Sequence, residues 1–561
     1  MLDRKGFNGP SVGKRSARKI LIVILICFLF GLVVLDRVAW ASISQWREDQ
    51  ATNLWLGYTR NPLDLPVGLV SSVDVPNPNG LPLLAIPLSR LPGLLSISTF
   101  LGIVQAALII WVVWLVFGIT RPALITLGPL LTSVFLGAIS VEFWGQWLMV
   151  SVDLLFFGLS LSYLRRPSVK LLPLMLLVVL LPPALYLAGF VNALVFALIF
   201  LLLVLFKRSQ GSIMGWILSA ATSLAILVAS LGLTWLPYFR TVERGQITAI
   251  FAGKSSWTGK LSASAHAMLR FPHWSVLQWS QDTLAPIYQS SSKILPDSAT
   301  SLLAFLRVFQ SVAVLLALAS LAWFFVSPRR SPGAVDSRSP ASLPIAAWII
   351  ALAFSLLACA LSPFLGGPDW TRSKRPDQSI QILPFLLFMW FSAPFVFKRA
   401  SGRFFGWAAA ALSFLVVGAN LILGYQVIAS HLNYRGDYLS EADVPLVQKI
   451  RAVDFIAQDW LGTSGSRTIP VYYDLEGQWP WINDMGDSMN QWYPAPMTFG
   501  RGFDYQLLRK YGLTNSQEGV QIRSEDQAVY IVAYVFEHQS VDPLSCQHVF
   551  GRLLVLKDCS P

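Results

Sequence analysis

The sequence predicts a mainly α fold: a polytopic bundle of about eleven transmembrane helices with a small extracytoplasmic α/β domain at its C-terminal end. Three observations predict it. Of 561 residues, 54% are hydrophobic and only 13% are charged, where a soluble domain carries about 25% charged residues; the mean hydropathy is +0.57. Apolar runs recur at the length needed to cross a bilayer, about 18 residues or more. Basic residues alternate with these runs: stretches 2–19, 121, 165–170, 207–208, 329–338 and 398–403 hold 18 Lys and Arg against two acids, Asp3 and Asp336. Such a bias marks cytoplasmic loops. The net charge of +12 therefore sets orientation and does not point to a nucleic-acid partner.

Residues 1–19 read as a basic cytoplasmic tail. The run over 20–39 is too long for a signal-peptide core and lacks a small-residue cleavage site, so it predicts an uncleaved first helix with its N-terminus inside. Further helices are predicted over about 94–118, 123–141, 144–164, 171–189, 191–206, 213–236, 302–326, 343–361, 380–397 and 404–428. Pro182 and Pro183 interrupt one of them, so 171–206 is expected as a hairpin of short, tilted or broken helices. Eleven crossings from an inside N-terminus put the C-terminus outside, and every basic stretch then falls on the inner face. The transmembrane part is 20–430, with outer loops 40–91, 237–300 and 363–379; the extracytoplasmic domain is 431–561. In that domain Val447, Ile450, Val453, Ile456 and Trp460 recur at helical spacing, with Lys449, Arg451 and Asp459 outside the stripe. Stretches 469–475, 528–536 and 553–557, rich in Val, Ile and Tyr, predict strands. Cys546 and Cys559 lie in this part, where an oxidising compartment permits a disulfide between them. Cys27 and Cys359 fall in apolar spans as packing residues.

The polar residues that need explaining gather on the outer side. Glu48 and Asp49 follow the first helix. Being adjacent, they point in different directions and are not the two carboxylates that flank one glycosidic bond. A single carboxylate suits other work: accepting the proton of an attacking hydroxyl, or holding a divalent cation against a phosphate leaving group. The bland reading is a pair of solvated loop acids. Glu142 sits at the junction of the third and fourth helices, and Asp153 lies well inside the fourth. Ionisable groups at membrane depth are costly and are functional candidates; Asp153 is expected to hydrogen-bond inside the bundle. Arg372, Lys374 and Arg375 put three cations in four residues where cations are otherwise scarce. They suit a phosphate, on a substrate or on a lipid headgroup. Residues 238–300 interleave Trp257, Trp274 and Trp279 with cations, a composition for sugar stacking or an interfacial helix. His266 and His273 are seven apart, the wrong spacing for a zinc pair. There is no Gly-rich phosphate loop, Gly-x-Ser-x-Gly or His-Glu-x-x-His, so nucleotide-dependent chemistry on the inner face has no support.

The order of these features resembles a known family. A first helix, the pair Glu48-Asp49, an interfacial helix over 51–58 and then Pro76-Asn77-Pro78-Asn79-Gly80-Leu81-Pro82 is similar to the GT-C membrane glycosyltransferases, in particular the protein O-mannosyltransferase and lipid A aminoarabinose transferase type. That group has an Asp-Glu-like pair and a Pro-Pro-Leu-like element; here the order is Glu-Asp and the proline element is longer. The resemblance implies a hexosyl or pentosyl transferase of a bacterial plasma membrane. It would use a polyprenyl-phosphate-linked sugar donor and act by inverting displacement on a lipid, glycan or protein acceptor at the extracytoplasmic face. It implies Asp49 as catalytic base or metal-contacting acid, with Glu48 as substitute, and Glu142 as the second acidic residue. Asp49 and Glu142 would hold any divalent cation, Mg or Mn, and Arg375, with Arg372 and Lys374, would meet the carrier phosphate. One alternative is a polyprenyl-linked polysaccharide polymerase or ligase, in which Asp49 would matter little. Another is a non-catalytic transporter or assembly partner. Against the latter stand the lack of an internal repeat and the scarcity of ionisable residues within helices, essentially Asp153 with Asp36 at a helix end.

Overall fold

The computed structural model describes residues 12–44, 46, 50, 53–54, 56–57, 67–68, 77–207, 209–242, 256–259, 261–262, 264–265, 297–326, 342–365, 377–396, 402–433, 444–474, 510–515, 529–534, 545–551 and 553–558. Among the described residues, helices lie at each of the eleven positions predicted. Six are long and apolar enough to cross a membrane: Val23–Ile43, Leu94–Phe117, Gly145–Arg165, Ile213–Thr241, Leu343–Leu361 and Phe404–Asn433. A seventh crossing is the pair Arg121–Leu131 and Val134–Ser140, if that pair, bent by 64°, is one span. The rest are shorter apolar helices, Val169–Leu185, Phe190–Phe206, Ser311–Trp323 and Pro384–Val396. At this level the chain has the helix inventory of a multi-pass membrane protein.

Helix α1 is Val12–Ile43, α2 Gly80–Leu88, α3 Leu94–Phe117, α4 Arg121–Leu131, α5 Val134–Ser140 and α6 Gly145–Arg165. Then come α7 Leu172–Leu185, α8 Phe190–Phe206, α9 Ile213–Ser230 and α10 Leu236–Thr241, the last two joined by a π-helical turn, Leu231–Trp235. Helices α11 to α14 are Asp297–Val326, Ser342–Leu365, Asp377–Val396 and Gly402–Asn433, and α15, Leu446–Thr463, opens the C-terminal part. The breaks follow local chemistry. Gly118, at φ 63°, lies just past the end of α3, and Pro122 sits in the first turn of α4, where its missing N–H costs nothing. The Ser133 hydroxyl accepts the Leu136 N–H at 3.2 Å and starts α5. Pro182 and Pro183 do not break α7 where they stand; it runs on to Leu185 and closes through a Tyr186 N–H bond to the Pro182 carbonyl at 3.0 Å.

The first span corrects the sequence reading. It runs to Ile43, so Asp36 and Arg37 lie inside it and not at a helix end. The helix continues because Ala39–Ile43 is apolar apart from Ser42 and holds no breaker, and because the two charges neutralise each other. Arg37 Nη1 lies 2.5 Å from Asp36 Oδ2, and Arg37 is 0% exposed. Its Nη2 donates to the Leu131 carbonyl at 3.1 Å, the end of α4. A bend in a membrane-spanning helix frees carbonyls that must find donors; Arg37 supplies one. Two glycines clear its path: a Cβ on Gly102 would stand 2.8 Å from Arg37 Cδ, and one on Gly137 would stand 2.8 Å from Nη1.

The Pro-Asn-Pro-Asn-Gly element, described from Asn77 onward, works as a clamp. Asn77 Oδ1 accepts the Leu187 N–H at 3.2 Å, just past the end of α7. Asn79 Nδ2 donates to the Leu233 carbonyl at 2.8 Å, inside the π-helical turn whose backbone ladder is displaced. Gly80 lets the strap approach α7: an added Cβ would meet the Ala184 carbonyl oxygen at 2.4 Å, and backbone cannot move aside. Gly80→Ala is therefore expected to lower stability by about 1–3 kcal/mol, read as a drop in the thermal midpoint in detergent. Gly31→Ala, inside α1 where a Cβ meets nothing within 4 Å, is the matched control and should leave that midpoint unlowered, or raise it, since Ala favours a helix over Gly.

The C-terminal part is α/β, as expected, with more strands than the sequence showed. Strands β2 Val471–Asp474, β4 Tyr530–Tyr534, β5 Ser545–Phe550 and β6 Leu553–Asp558 form a sheet of order β2-β4-β6-β5. β2 and β4 are parallel, whereas β6 pairs antiparallel with β4 and β5. A second small pair, β1 Thr468–Ile469 and β3 Thr514–Asn515, is parallel. β5 escaped the sequence reading because Ser545-Cys546-Gln547-His548 lacks a run of β-formers; a hairpin through Gly551, at φ 66°, brings it onto β6. Helix α15 is also rotated from its predicted face. Leu446, Lys449, Ala452, Val453, Ile456 and Ala457 are buried, so Lys449 lies within the stripe. The reason is double packing: α15 contacts both the β5–β6 hairpin and α1.

Cys546 is disulfide-bonded; Cys559 lies outside the described residues. Asp459 ties the helix to the sheet, accepting from Tyr530 Oη at 2.5 Å and Lys557 Nζ at 2.6 Å. Burial acts to raise its carboxyl, but the hydrogen bonds from Lys557 and Tyr530, with the Lys557 charge, outweigh it and hold it below the usual carboxylate value. A depressed folded-state value means stability present above the unfolded pKa and lost as pH falls through the folded one. Acidification should thus destabilise the C-terminal part of the wild type more than that of Asp459→Asn, measured as the slope of thermal midpoint against pH in the acid range.

Candidate functional site

The site is built where the chain leaves α1. Glu48 and Asp49 lie outside the described residues, but Trp46 and Gln50, which flank them, are described and buried, at 0% and 2% exposure. Trp46 is the one described non-glycine residue with a positive φ, 39°. A bulky side chain there is strained, by roughly 1–3 kcal/mol, and persists only where surroundings over-determine it. Those surroundings are specific. The indole Nε1 donates to Ser98 Oγ on α3 at 2.7 Å, and the ring stacks on Phe143 at 6.3 Å between centroids.

Gln50 completes the link: its Nε2 donates to Glu142 Oε2 at 2.8 Å, both groups being buried. Glu142 sits in the turn between α5 and α6, held by a backbone bond from its N–H to the Ile139 carbonyl at 3.3 Å. It is 2% exposed. The loop that carries the acidic pair and the junction that carries Glu142, some ninety residues apart in the chain, thus form one place. A buried carboxyl group held by such a hydrogen bond is oriented, and as a carboxylate could accept a proton from a hydroxyl brought to it. The Gln50 Oε1 oxygen is buried there with no hydrogen-bond partner.

The stretch expected as an interfacial helix is packed inward. Gln50, Asn53, Leu54, Leu56 and Gly57 are helical and buried, and a Cβ on Gly57 would meet Ala85 Cβ on α2 at 2.6 Å. The C-terminal part also reaches this corner: the Leu446 N–H donates to the Ser44 carbonyl at 3.1 Å, two residues before Trp46.

Of the other candidates, Asp153 on α6 accepts from Asn192 Nδ2 on α8 at 2.7 Å, as a hydrogen-bonding group inside the bundle. Arg372, Lys374, Arg375, His266, His273, Trp274 and Trp279 lie outside the described residues; Trp257 is described and exposed. Among the described residues, no group of three His, Cys, Asp or Glu gathers as a metal site.

No protein-family model matches the chain, and no curated protein shows a significant match to it. The site must be read from its own chemistry. Of its residues, Ser98 was missed in the sequence, and Trp46 and Gln50 were seen only as the ends of the stretch that carries the acidic pair. Trp46 and Gln50 bracket the acidic pair and were within reach; a polar side chain beside a membrane span invites the question of what it pairs with. Ser98 carried a weaker signal, a serine near a helix start.

Proposed function

We propose that the protein is an integral membrane glycosyltransferase of GT-C type. It transfers a sugar from a polyprenyl-phosphate carrier to an acceptor hydroxyl at the extracytoplasmic face. The observation that carries the reading is the Gln50–Glu142 hydrogen bond at 2.8 Å, with Trp46 on Phe143 and Ser98 beside it. It joins the loop of Glu48 and Asp49 to the second acid that the sequence singled out. In the eleven-crossing topology that the sequence predicts, with the N-terminus in the cytoplasm, this corner and the C-terminal domain lie outside, away from nucleotide sugars, so a lipid-linked donor is the natural substrate.

In this reading the acceptor oxygen attacks the anomeric carbon from the face opposite the carrier. The bond from that carbon to the phosphate oxygen breaks, the phosphate leaves with the electron pair, and the configuration inverts. Asp49 takes the hydroxyl proton, with Glu48 as its substitute, and Glu142 orients the acceptor from its buried, Gln50-bound position. Arg375, with Arg372 and Lys374, meets the carrier phosphate. A Mg or Mn ion would be held by Asp49 and Glu142 and would neutralise charge on the leaving phosphate. The described donors at the corner, one carboxylate and the Gln50 amide oxygen, would leave the rest of such an ion's oxygen shell to Asp49, phosphate and water.

The test is turnover by the purified full chain in lipid vesicles, given a polyprenyl-phosphate-linked sugar. Release of polyprenyl phosphate by wild type, lost in Asp49→Asn, is expected. Full activity in a folded Asp49→Asn protein would contradict the assignment of the base.

A further inference from the structure

We propose that Asp153 and Asn192 form a proton-binding site: a carboxylic acid and an amide that hold one proton inside the helix bundle. The inference is independent of the transferase reading. Both residues are 0% exposed, Asp153 midway along α6 and Asn192 in the first turn of α8. One hydrogen bond is in place, Asn192 Nδ2 to Asp153 Oδ1 at 2.7 Å. The second oxygen of each group, Asp153 Oδ2 and Asn192 Oδ1, is buried without a partner. Both leftover atoms are acceptors if Asp153 is a carboxylate, and two acceptors cannot bond to each other. A proton on Oδ2 makes that atom a donor. An O–H···O bond to Asn192 then closes beside the N–H···O bond, and one proton satisfies both orphaned atoms.

Among the described residues, the helices packed on α6 supply no counter-charge. Helices α3, α5, α7, α8, α12 and α13 pack on α6. Together they contain no Lys, Arg or His; their titratable groups are Cys359 on α12 and Asp377, the first residue of α13. On α6 itself the nearest cation is Arg165, twelve residues on and about 18 Å away along the helix. One turn beyond the pair, Phe156 stacks on Phe196 at 4.0 Å between centroids, and Phe196 meets Phe354 at 5.7 Å. An unpaired carboxylate in such apolar packing is what proteins avoid by keeping the acid neutral. Asparagine in place of Asp153 would present the same two hydrogen-bonding positions as the protonated acid.

Infrared spectroscopy of the full chain in lipid vesicles, grown with isotope-labelled aspartate, tests this directly. The expected result is a carboxylic-acid carbonyl band at neutral pH that is lost in Asp153→Asn, with that variant keeping the wild-type thermal midpoint. Asn192→Leu keeps the acid but removes its partner, so the same band should move to higher frequency; this reads the site even if Asp153→Asn fails to fold. An Asp153 signal found only in the carboxylate region at neutral pH overturns the proposal, and so does an acid band unmoved by both substitutions.

Discussion

Glu142→Gln is expected to fold and insert as the wild type does, and to transfer sugar roughly a hundredfold more slowly, the scale of a misplaced substrate. The substitution keeps the volume of a side chain that is 2% exposed and keeps an oxygen for Gln50 Nε2, which now donates to Glu142 Oε2 at 2.8 Å. What it removes is the ionisable carboxyl group. Gln50→Ala should cost less, because Glu142 then keeps that group and loses only an orienting bond. Transfer rates for both, compared with thermal midpoints, separate chemistry from folding. Equal, mild losses in the two variants would make Glu142 a packing residue.

Arg37→Met is expected to be strongly destabilising, by about 3 kcal/mol, the low end of the cost of removing one partner of a buried ion pair, since Arg37 is fully buried and Asp36 only partly so. It strands Asp36 inside α1 and leaves the Leu131 carbonyl without its 3.1 Å donor at the bend between α4 and α5. Arg37→Lys should recover only part of this, since an ammonium cannot offer the guanidinium's fork to both partners. The double change Asp36→Asn with Arg37→Met should be more stable than Arg37→Met alone, because no charge is then stranded. Thermal unfolding in detergent measures all three. A double variant no better than the single one would show that the charge pair is not what holds the bend.

The helical part was legible because hydrophobicity and charge act over whole segments. Runs of twenty apolar residues and the bias of Lys and Arg place helices without knowledge of neighbours, and helices stand at each position foreseen. What was not legible depends on partners distant in the chain. Asp36 read as standing at a helix end, yet it lies inside the span beside Arg37, which is buried because Gly102 and Gly137 on two other helices make room. Lys449 read as solvent-facing, yet it is buried because α15 packs on both a sheet and α1. At the site, Glu142 was visible as an acid at membrane depth, and the pair Glu48-Asp49 as an acid beside a span. That they share a corner rests on Trp46 and Gln50, whose partners lie some fifty and ninety residues away. Nor does the helix count by itself fix crossings: six helices meet the length and polarity required, and four are short.

The central claim is that the first loop and the Glu142 junction act as one site. Its most direct measurement is the transfer rate of Asp49→Asn, Glu142→Gln and the double variant in the same vesicles. Residues that act as a unit are strongly non-additive, so the double variant is expected to be no slower than the worse single one. Losses that multiply would contradict the account, because they would place the two acids in separate roles at separate places.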